Sequence, residues 1–343
     1  MRATYLLGDY TVELREVPDP VLVEPTDALV DIAASCICGS DLHPYHGPAV
    51  TPRPIGHEFV GRVSAVGAAV STVKPGDFVI APFTINCGSC EFCRQGLTTS
   101  CLHAGSWGRT NSRTSACQAE AIRVPLADGT LFKVDAAVDE ALLPGLLALS
   151  DVYGTGYHAA RSAGVSPGDT VAVIGDGAVG LLAVLSAKQL GAERIILMGR
   201  HADRTELGRE FGATDVVSER GAEGIAAVRG MTGHGAGKVL EAVGLLPAFE
   251  QAIGIVRPGG TISRVGVPQY ATGPVGREFF GPNVTLTGGV APVRSYIGEL
   301  LPGVLQGSVE PGKVFDSVLP LAQVAAGYAA MEARESLKVM LRG

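Results

Sequence analysis

The sequence predicts an α/β protein in which a β-rich part is followed by a doubly wound parallel sheet. Three observations carry this prediction. Short apolar segments separated by Pro and Gly fill the first half, strand and helix patterns alternate after about residue 140, and a glycine-rich turn joins a strand to a long helix. The chain has 343 residues, which is enough for about two domains.

The composition is typical of a compact globular protein without a nucleic-acid partner. Hydrophobic residues make up 46% of the chain, so a packed core is expected. The formal net charge is -7, whereas nucleic-acid binders usually present a basic face. No apolar run reaches the roughly 18 residues of a membrane helix, and the N-terminal residues do not follow a signal-peptide pattern. We therefore expect a cytoplasmic protein with no membrane partner.

The first half contains short apolar strands bounded by turns. The segments ALVDIAA (28–34), FVGRVSAVG (59–67) and DFVIAP (77–82) have the composition of strands. Cys36 and Cys117 belong to no spacing pattern, and we expect both to be small buried hydrophobic residues. This half is therefore predicted to be β-rich and irregular.

Four cysteines lie within the segment NCGSCEFCRQGLTTSC (86–101). Their spacing is Cys-x2-Cys-x2-Cys-x7-Cys, and they are Cys87, Cys90, Cys93 and Cys101. In a reducing compartment such a cluster favours a metal over disulfides, and four thiolates fill the tetrahedral shell of zinc. A closed shell leaves no position for a substrate, so we expect a structural zinc, and an iron–sulfur cluster stays compatible with the spacing. Gly88 and Gly96 should let the loop turn its thiols inward.

The second half opens with a pattern typical of dinucleotide binding. VAVIGDGAVG carries the G-x-G-x-x-G spacing between a strand at 171–174 and a helix at 178–190. The first glycine allows the tight turn, the second lets the backbone approach a pyrophosphate, and the third lets helix and strand pack closely. The N–H groups at the helix start would face the phosphates. The residues expected at the cofactor here are Gly175, Gly177, Ala178, Val179 and Gly180.

The second strand of this part, RIILMGR, lacks the acid with which NAD-selective sites usually hold the ribose. Gly199 stands at that position, followed by Arg200 and His201, with Arg204 one turn later. A carboxylate would repel the 2′-phosphate of NADP, whereas an arginine can pair with it. The sequence therefore favours NADP over NAD. The alternative is that both arginines are solvated and NAD binds through other contacts.

Apolar strands continue towards the C-terminus. KVLEAV (238–243) and GTISRVGV (260–267) follow Gly or Pro-Gly turns, and the tail predicts a helix and then a last strand. Near-continuous apolar strands that alternate with helices indicate a parallel sheet covered on both faces.

Two segments of the first half carry residues typical of metal ligands. CICGSDLHPYHG (36–47) contains Cys38, and PIGHEFVG (54–61) contains His57 followed directly by Glu58. A thiolate and a neutral imidazole both bind zinc, and the carboxylate could bind it or support a ligand. A third ligand is needed before these residues indicate an open site.

Five segments, in this order, resemble the zinc-dependent medium-chain alcohol dehydrogenase family: CGSDLH, GHEFVGRVSAVG, the four-cysteine segment, SDVYGTGYHAA and the glycine-rich turn. The resemblance spans nearly the whole chain. It implies a GroES-like catalytic domain, residues 1–152 and 286–343, with a Rossmann domain inserted at 153–285. It also implies two zinc ions per chain, one catalytic and one structural, and a homodimer or homotetramer.

The resemblance further implies the ligands of the catalytic zinc. They would be Cys38, His57 and Asp151, with Glu58 close enough to exchange as a ligand. Many members carry Cys at the position of Asp151, whereas formaldehyde dehydrogenase-like bacterial members are similar to this chain in using Asp. The alternative is that Asp151 caps the following helix.

Other residues match family positions around the substrate and cofactor. Ser40 matches the hydroxyl next to the reacting oxygen, His43 matches the histidine that receives its proton through the cofactor ribose, and Phe83 matches an apolar pocket wall. Residues expected to line the cofactor are Thr155, Val243, Gly266 and Val267. No catalytic role is expected for His46, His103, His158, His201 and His234.

These features predict an enzyme that transfers a hydride between an alcohol or carbonyl compound and NAD(P), with zinc activating the substrate oxygen. An aldehyde (formaldehyde-type) dehydrogenase or dismutase of the same family stays open, because the shape of the pocket decides between them. The alternative outside the enzymes is a non-catalytic binding protein that keeps the fold. The presence of the complete set argues against it, namely Cys38, His57, Asp151, Ser40 and His43.

Overall fold

The computed structural model describes residues 1–108 and 116–343, which fold into two compact units. Met1–Asp151 and Pro292–Gly343 form the first unit, and Val152–Ala291 forms the second. The chain therefore leaves the first unit, completes the second and returns. The domain limits expected from the sequence, with the inserted part at 153–285, stay a prediction.

The first segment of the first unit, Met1–Asp151, is built of short strands and helices of one or two turns. Pro and Gly residues between the apolar runs end each element early. Its strands are β1 (Arg2–Gly8), β2 (Thr11–Glu16), β3 (Ala28–Cys36), β4 (Arg53–Pro54), β5 (Phe59–Val66), β6 (Phe78–Ala81), β7 (Thr84–Ile85), β8 (Gly105–Ser106), β9 (Ala121–Val124) and β10 (Phe132–Lys133). Its helices are α1 (Leu42–His46), α2 (Glu91–Arg94), α3 (Ala127–Thr130) and α4 (Leu143–Ala148).

The second unit alternates longer helices with strands. Its strands are β11 (Thr170–Ile174), β12 (Arg194–Met198), β13 (Asp215–Val217), β14 (Ala236–Glu241), β15 (Val256–Arg264) and β16 (Thr285–Gly288). Its helices are α5 (Val152–Ser162), α6 (Ala178–Gln189), α7 (Ala202–Glu210), α8 (Gly221–Thr232), α9 (Leu246–Ile255) and α10 (Arg277–Phe280). The last segment of the chain, Pro292–Gly343, belongs to the first unit and adds α11 (Val293–Leu305), β17 (Ser317–Pro320), α12 (Val324–Glu332) and β18 (Val339–Arg342). Across the described ranges, no helix combines the length and apolar character needed to cross a membrane.

The main sheet of the first unit brings two candidate ligand segments together. Its strand order is β10-β6-β5-β3-β18-β17, and β9 also pairs with β3. β3 and β5 run antiparallel with Ser35 opposite Phe59, so the end of β3 lies beside the start of β5. Because Cys38 follows β3 and His57 precedes β5, the pairing places the two residues close to each other. Cys36 and Cys117 are fully buried, as expected.

The second unit contains the predicted parallel sheet. Its strand order is β13-β12-β11-β14-β15-β16, and every neighbouring pair is parallel. The apolar strands β11 and β12 are buried over most of their length, which explains their continuous apolar sequence. The carboxyl ends of parallel strands meet at one edge, where such sheets bind ligands. The predicted fold class is thus confirmed.

Candidate functional site

Four side chains with metal-binding groups converge in the first unit: Cys38, His57, Glu58 and Asp151. One ligand atom of each lies within 4.8 Å of those of the other three. His57 Nε2 is 3.4 Å from Asp151 Oδ2 and 3.8 Å from Glu58 Oε1. The structure therefore brings together every residue that the resemblance assigned to the catalytic zinc, and their ligand role stays a prediction.

Ends of secondary-structure elements position these four groups. Cys38 follows β3. His57 and Glu58 directly precede β5, and Asp151 follows α4. The turn after α4 is fixed because the Ser150 hydroxyl donates to Leu147 O at 2.7 Å and Ser150 O accepts from Phe83 N at 3.1 Å. The ring of Phe83 meets His57 edge-on, with 6.5 Å between ring centroids. Phe83 therefore lies beside His57, and its role as an apolar wall of the substrate pocket stays a prediction.

Asp41 orients two of the candidate ligands. Its Oδ1 is 3.2 Å from His57 Nδ1, and its Oδ2 accepts hydrogen bonds from Cys38 N at 3.0 Å and Gln118 Nε2 at 3.2 Å. A carboxylate on one ring nitrogen fixes the imidazole so that the other nitrogen faces the metal position. Asp41 was not identified from the sequence, although it stands inside the CGSDLH segment.

Glu58 is held by a lysine from the last segment of the chain. Lys338 Nζ donates to Glu58 Oε1 at 2.8 Å, and the two side chains are 1% and 0% exposed. The second oxygen, Oε2, is buried and has no hydrogen-bond partner among the described residues. A cation would satisfy such an orphaned oxygen beside a thiol, an imidazole and another carboxylate, so the donor set fits zinc. Lys338 belongs to no sequence motif and was missed.

The electrostatics of this centre also fit a bound cation. Burial lowers the pKa of His57, but the carboxylates of Asp41 and Asp151 outweigh burial and raise this pKa well above its ordinary value. Without a metal, the imidazole takes up a proton to balance the surrounding negative groups. A metal ligand must be a neutral imidazole, so metal binding would release that proton.

Ser40 and His43 lie in the helical turns that follow Cys38. Ser40 is half-buried in the 3-10 turn Gly39–Asp41, and His43 lies exposed in α1. Partial burial lowers the pKa of His43, and the neighbouring His46 lowers it further. The imidazole is therefore neutral at neutral pH, and the assigned relay role of both residues stays a prediction.

The four cysteines of the loop form a second, closed cluster. One Sγ of each lies within 4.8 Å of the other three, and every cysteine is a free thiol. The Sγ atoms of Cys87 and Cys101 are 3.5 Å apart. The backbone N–H groups of Cys87, Cys90 and His103 donate to sulfur, which stabilises thiolates. Four convergent sulfurs fit a tetrahedral zinc with no open position.

Two glycines in the left-handed conformation shape this loop. Gly88 has φ +70° and Gly96 has φ +82°, as the sequence predicted. Burial raises the pKa of Cys87, but hydrogen-bond donors of the loop outweigh it and bring the value to about 6. Burial and the thiol of Cys90 raise the pKa of Cys93 to about 12. Without a cation the cluster is only partly ionised, so a metal would complete it.

The glycine-rich turn of the second unit has the backbone that its sequence predicts. Gly175 has φ +111°. A Cβ on Gly180 would lie 2.0 Å from Gly175 O, so only glycine lets α6 begin this close to the turn. A Cβ on Gly177 would meet nothing within 4 Å, which leaves open space before the helix. The remaining residues predicted for the cofactor in helices are Ala178 and Val179 in α6, Thr155 in α5 and Arg204 in α7.

The end of β12 has an acid beside it, but this acid comes from the glycine-rich turn. Asp176 Oδ2 accepts hydrogen bonds from the N–H groups of Arg200 at 2.8 Å and His201 at 3.0 Å, and it lies 2.8 Å from His201 Nδ1. A Cβ on Gly199 would lie only 2.9 Å from this oxygen. The preference for NADP was predicted from Gly199, Arg200 and Arg204, and Asp176 was not identified from the sequence.

The strand ends β14 and β15 carry the other residues predicted to line the cofactor. Val243 and Val267 are 37% and 58% exposed. A Cβ on Gly266 would lie 2.2 Å from Gly244 N, so this close approach requires glycine. Glu241 Oε1 accepts from the N–H groups of Val243 and Gly244 at 2.7 and 2.8 Å and fixes the first of these loops. Glu241 was not identified from the sequence.

Two family models match the chain. Residues 24–136 match the alcohol dehydrogenase GroES-like domain, and residues 178–300 match the zinc-binding dehydrogenase domain. Zinc-type alcohol dehydrogenase B from Aspergillus flavus is 34% identical, and the match covers 100% of this chain and 81% of that protein.

Solved structures agree with these matches. Alcohol dehydrogenase TADH from Thermus sp. ATN1 superposes with a TM-score of 0.91 at 36% identity, over 100% of this chain and 99% of that one. A zinc-binding dehydrogenase from Sinorhizobium meliloti bound to NADP superposes with a TM-score of 0.84 at 27% identity, over 100% and 99%. The predicted class of zinc-dependent oxidoreductase is confirmed, and none of these relatives favours a dismutase or a non-catalytic protein. The chain belongs to the zinc-dependent medium-chain alcohol dehydrogenase family.

Proposed function

We propose that the chain is an alcohol dehydrogenase that transfers a hydride between a small alcohol or carbonyl substrate and NAD(P), with catalytic zinc held by Cys38, His57 and Asp151. The observation that carries the proposal is the convergence of a thiol, an imidazole and two carboxylates within 4.8 Å. Three protein ligands leave one position of a tetrahedral zinc open. When these three residues hold it, zinc would supply a Lewis acid that polarises a substrate oxygen and makes the proton on that oxygen easier to remove.

The charges of the ligands support this assignment. A thiolate and one carboxylate balance the two positive charges of zinc. The ion pair with Lys338 neutralises Glu58, so this second carboxylate adds no net charge to the centre. Glu58 could then serve as an exchangeable ligand without making the site anionic.

Ser40 and His43 would remove the proton of an alcohol substrate. A hydroxyl both accepts and donates a proton, so Ser40 can pass it on. The pKa of His43 is lowered by burial and by His46, so its imidazole is neutral at pH 7 and can accept the proton. Because His43 is only partly buried, it can release that proton to water.

The four-cysteine cluster would hold a second, structural zinc. All four of its ligands come from one loop, and a filled shell cannot bind a substrate. Its expected contribution is therefore to the folding of this loop rather than to turnover.

The second unit would bind the dinucleotide that accepts the hydride. The sequence favours NADP because Gly199 replaces the ribose acid, and that preference stays a prediction. Asp176 places a carboxylate beside the same glycine. A homodimer or homotetramer and a cytoplasmic location also stay predictions.

A turnover assay tests the proposal. The zinc-loaded protein is mixed with NAD or NADP and a panel of alcohols, and the absorbance of reduced nicotinamide is followed. We expect turnover with at least one alcohol, loss of turnover after chelation and recovery when zinc is returned. Absence of turnover in the fully loaded protein would support the non-catalytic alternative. Conversion of an aldehyde into alcohol and acid without net reduction of cofactor would support the dismutase alternative.

A further inference from the structure

We propose that Asp176 makes the second unit select NAD over NADP, because its carboxylate accepts the ribose 2′-hydroxyl in place of an acid at the end of β12. The inference rests on the proposed binding of a nicotinamide dinucleotide to this unit. It differs from the prediction of NADP, which rested on Gly199 and the arginines that follow it, because the carboxylate of Asp176 lies beside this glycine.

The register of the sheet explains why residue 176 reaches the end of β12. β11 and β12 are parallel with Ile174 opposite Met198, so the turn after β11 lies beside Gly199. A Cβ on Gly199 would lie 2.5 Å from Asp176 Cβ and 2.9 Å from Asp176 Oδ2. The acid therefore occupies the space in which a side chain of residue 199 would begin. Glycine at 199 makes room for this acid and does not leave the site without one.

A 2′-phosphate would need hydrogen-bond donors at this edge, and Asp176 already engages them. The N–H groups of Arg200 and His201 and the Nδ1 atom of His201 all contact Asp176 Oδ2, at 2.8 to 3.0 Å. A phosphate bound here would also face a carboxylate of the same sign, which disfavours it. The side chain of Arg200 is exposed, so it contributes no fixed donor to this edge.

A ribose hydroxyl, in contrast, finds an acceptor that is ready for it. All three contacts of Asp176 go to Oδ2, and among the described residues Oδ1 has no hydrogen-bond partner. Asp176 is buried, and 11% of its side chain stays exposed to solvent. Burial raises the pKa of Asp176, but hydrogen bonds from His201 and Arg200 outweigh burial and keep the carboxylate ionised. A hydroxyl can therefore donate to Oδ1 without breaking an existing bond.

Direct binding measurements test the inference without knowledge of the substrate. The fluorescence of NADH and NADPH is titrated against the zinc-loaded full chain at one fixed salt concentration. We expect wild type to bind NADH at least about tenfold more tightly, the effect of one hydrogen bond to a charged group. Asp176→Asn keeps the shape but removes the charge, and should shift the NADH/NADPH affinity ratio about tenfold or more towards NADPH. Asp176→Ser, which also opens space for a phosphate, should shift it in the same direction.

Glu223→Gln is the matched control, because Glu223 lies exposed on α8 of the same unit and loses the same charge. Its affinity ratio should equal that of wild type. Tighter binding of NADPH by wild type overturns the inference even if both Asp176 variants fail to fold. An unchanged ratio in a folded Asp176→Asn variant also overturns it. Failure of wild type to bind either dinucleotide overturns the proposed function as well, so the two failures are distinguishable.

Discussion

Lys338 Nζ lies 2.8 Å from Glu58 Oε1, and both side chains are shielded from solvent. The lysine directly precedes β18 and the glutamate directly precedes β5, and both strands lie next to β3 in the same sheet. The pair therefore joins the last segment of the chain to the candidate metal centre. Removing one partner of such a pair leaves an uncompensated charge in the interior.

Lys338→Met should lower the free energy of unfolding by about 3–5 kcal/mol, because Glu58 would stay buried without its cation. Urea unfolding of the metal-free protein measures this loss. The double variant Lys338→Met/Glu58→Gln removes both charges and should recover most of it. Lys74→Met, an exposed lysine of the same unit, is the control and should have little effect. Equal stability of Lys338→Met and wild type would show that the pair does not support the fold.

Lys338 also shows what the sequence could not predict. Cys38, His57 and Glu58 stand in short segments whose residue types can bind a metal, and the resemblance to the family assigned them to one centre. Lys338 follows Glu58 by 280 residues, and from its charge a lysine is expected at the surface rather than in the interior. Only the pairing of strands from opposite ends of the chain buries it beside the carboxylate.

Asp176 marks a different limit, because it stands inside the recognised glycine-rich segment. The motif assigns roles to its three glycines and none to the residue between the first two, which here is Asp176. Its partners Arg200 and His201 are 24 and 25 residues away. The parallel register of β11 and β12 brings them together, and a one-dimensional pattern does not contain that register. The strands themselves were predictable, since their apolar runs are continuous.

Cys90→Ser should lower the stability of the zinc-loaded protein by about 3 kcal/mol or more, because a structural metal contributes directly to folding. The zinc content should fall by about one ion per chain. Thermal unfolding and elemental analysis measure the two effects. Gln95→Ala, an exposed change in the same loop, is the control. Unchanged stability with slowed turnover would contradict a structural role for the cluster.

His57→Ala should abolish turnover and lower the zinc content by about one ion per chain, while the fold survives. The imidazole is one of the three proposed ligands, and Asp41 would lose the group that it orients. Elemental analysis, circular dichroism and the turnover assay together check this outcome. His234→Ala changes an exposed histidine of the second unit and should keep both zinc and activity. Full activity of His57→Ala would exclude the ligand role.

His43→Gln should slow alcohol oxidation at neutral pH by about 100-fold, the lower range for loss of a proton-transfer group. The pKa of His43 is lowered from its ordinary value of 6.5, so the imidazole is neutral above that pH and becomes protonated as the pH falls through its pKa. Protonated His43 cannot accept a proton. Wild-type oxidation should therefore decline on the acidic side, and the variant should lose this decline.

Measuring kcat/KM against pH for wild type and His43→Gln separates a proton relay from a structural effect. Added imidazole buffer should accelerate the variant more than wild type, because a free base can replace the missing one. His234→Gln, at an exposed site in the second unit, should keep the wild-type profile. A variant that is slower by the same factor at every pH, and that imidazole does not rescue, would mean that His43 supports the site without carrying the proton.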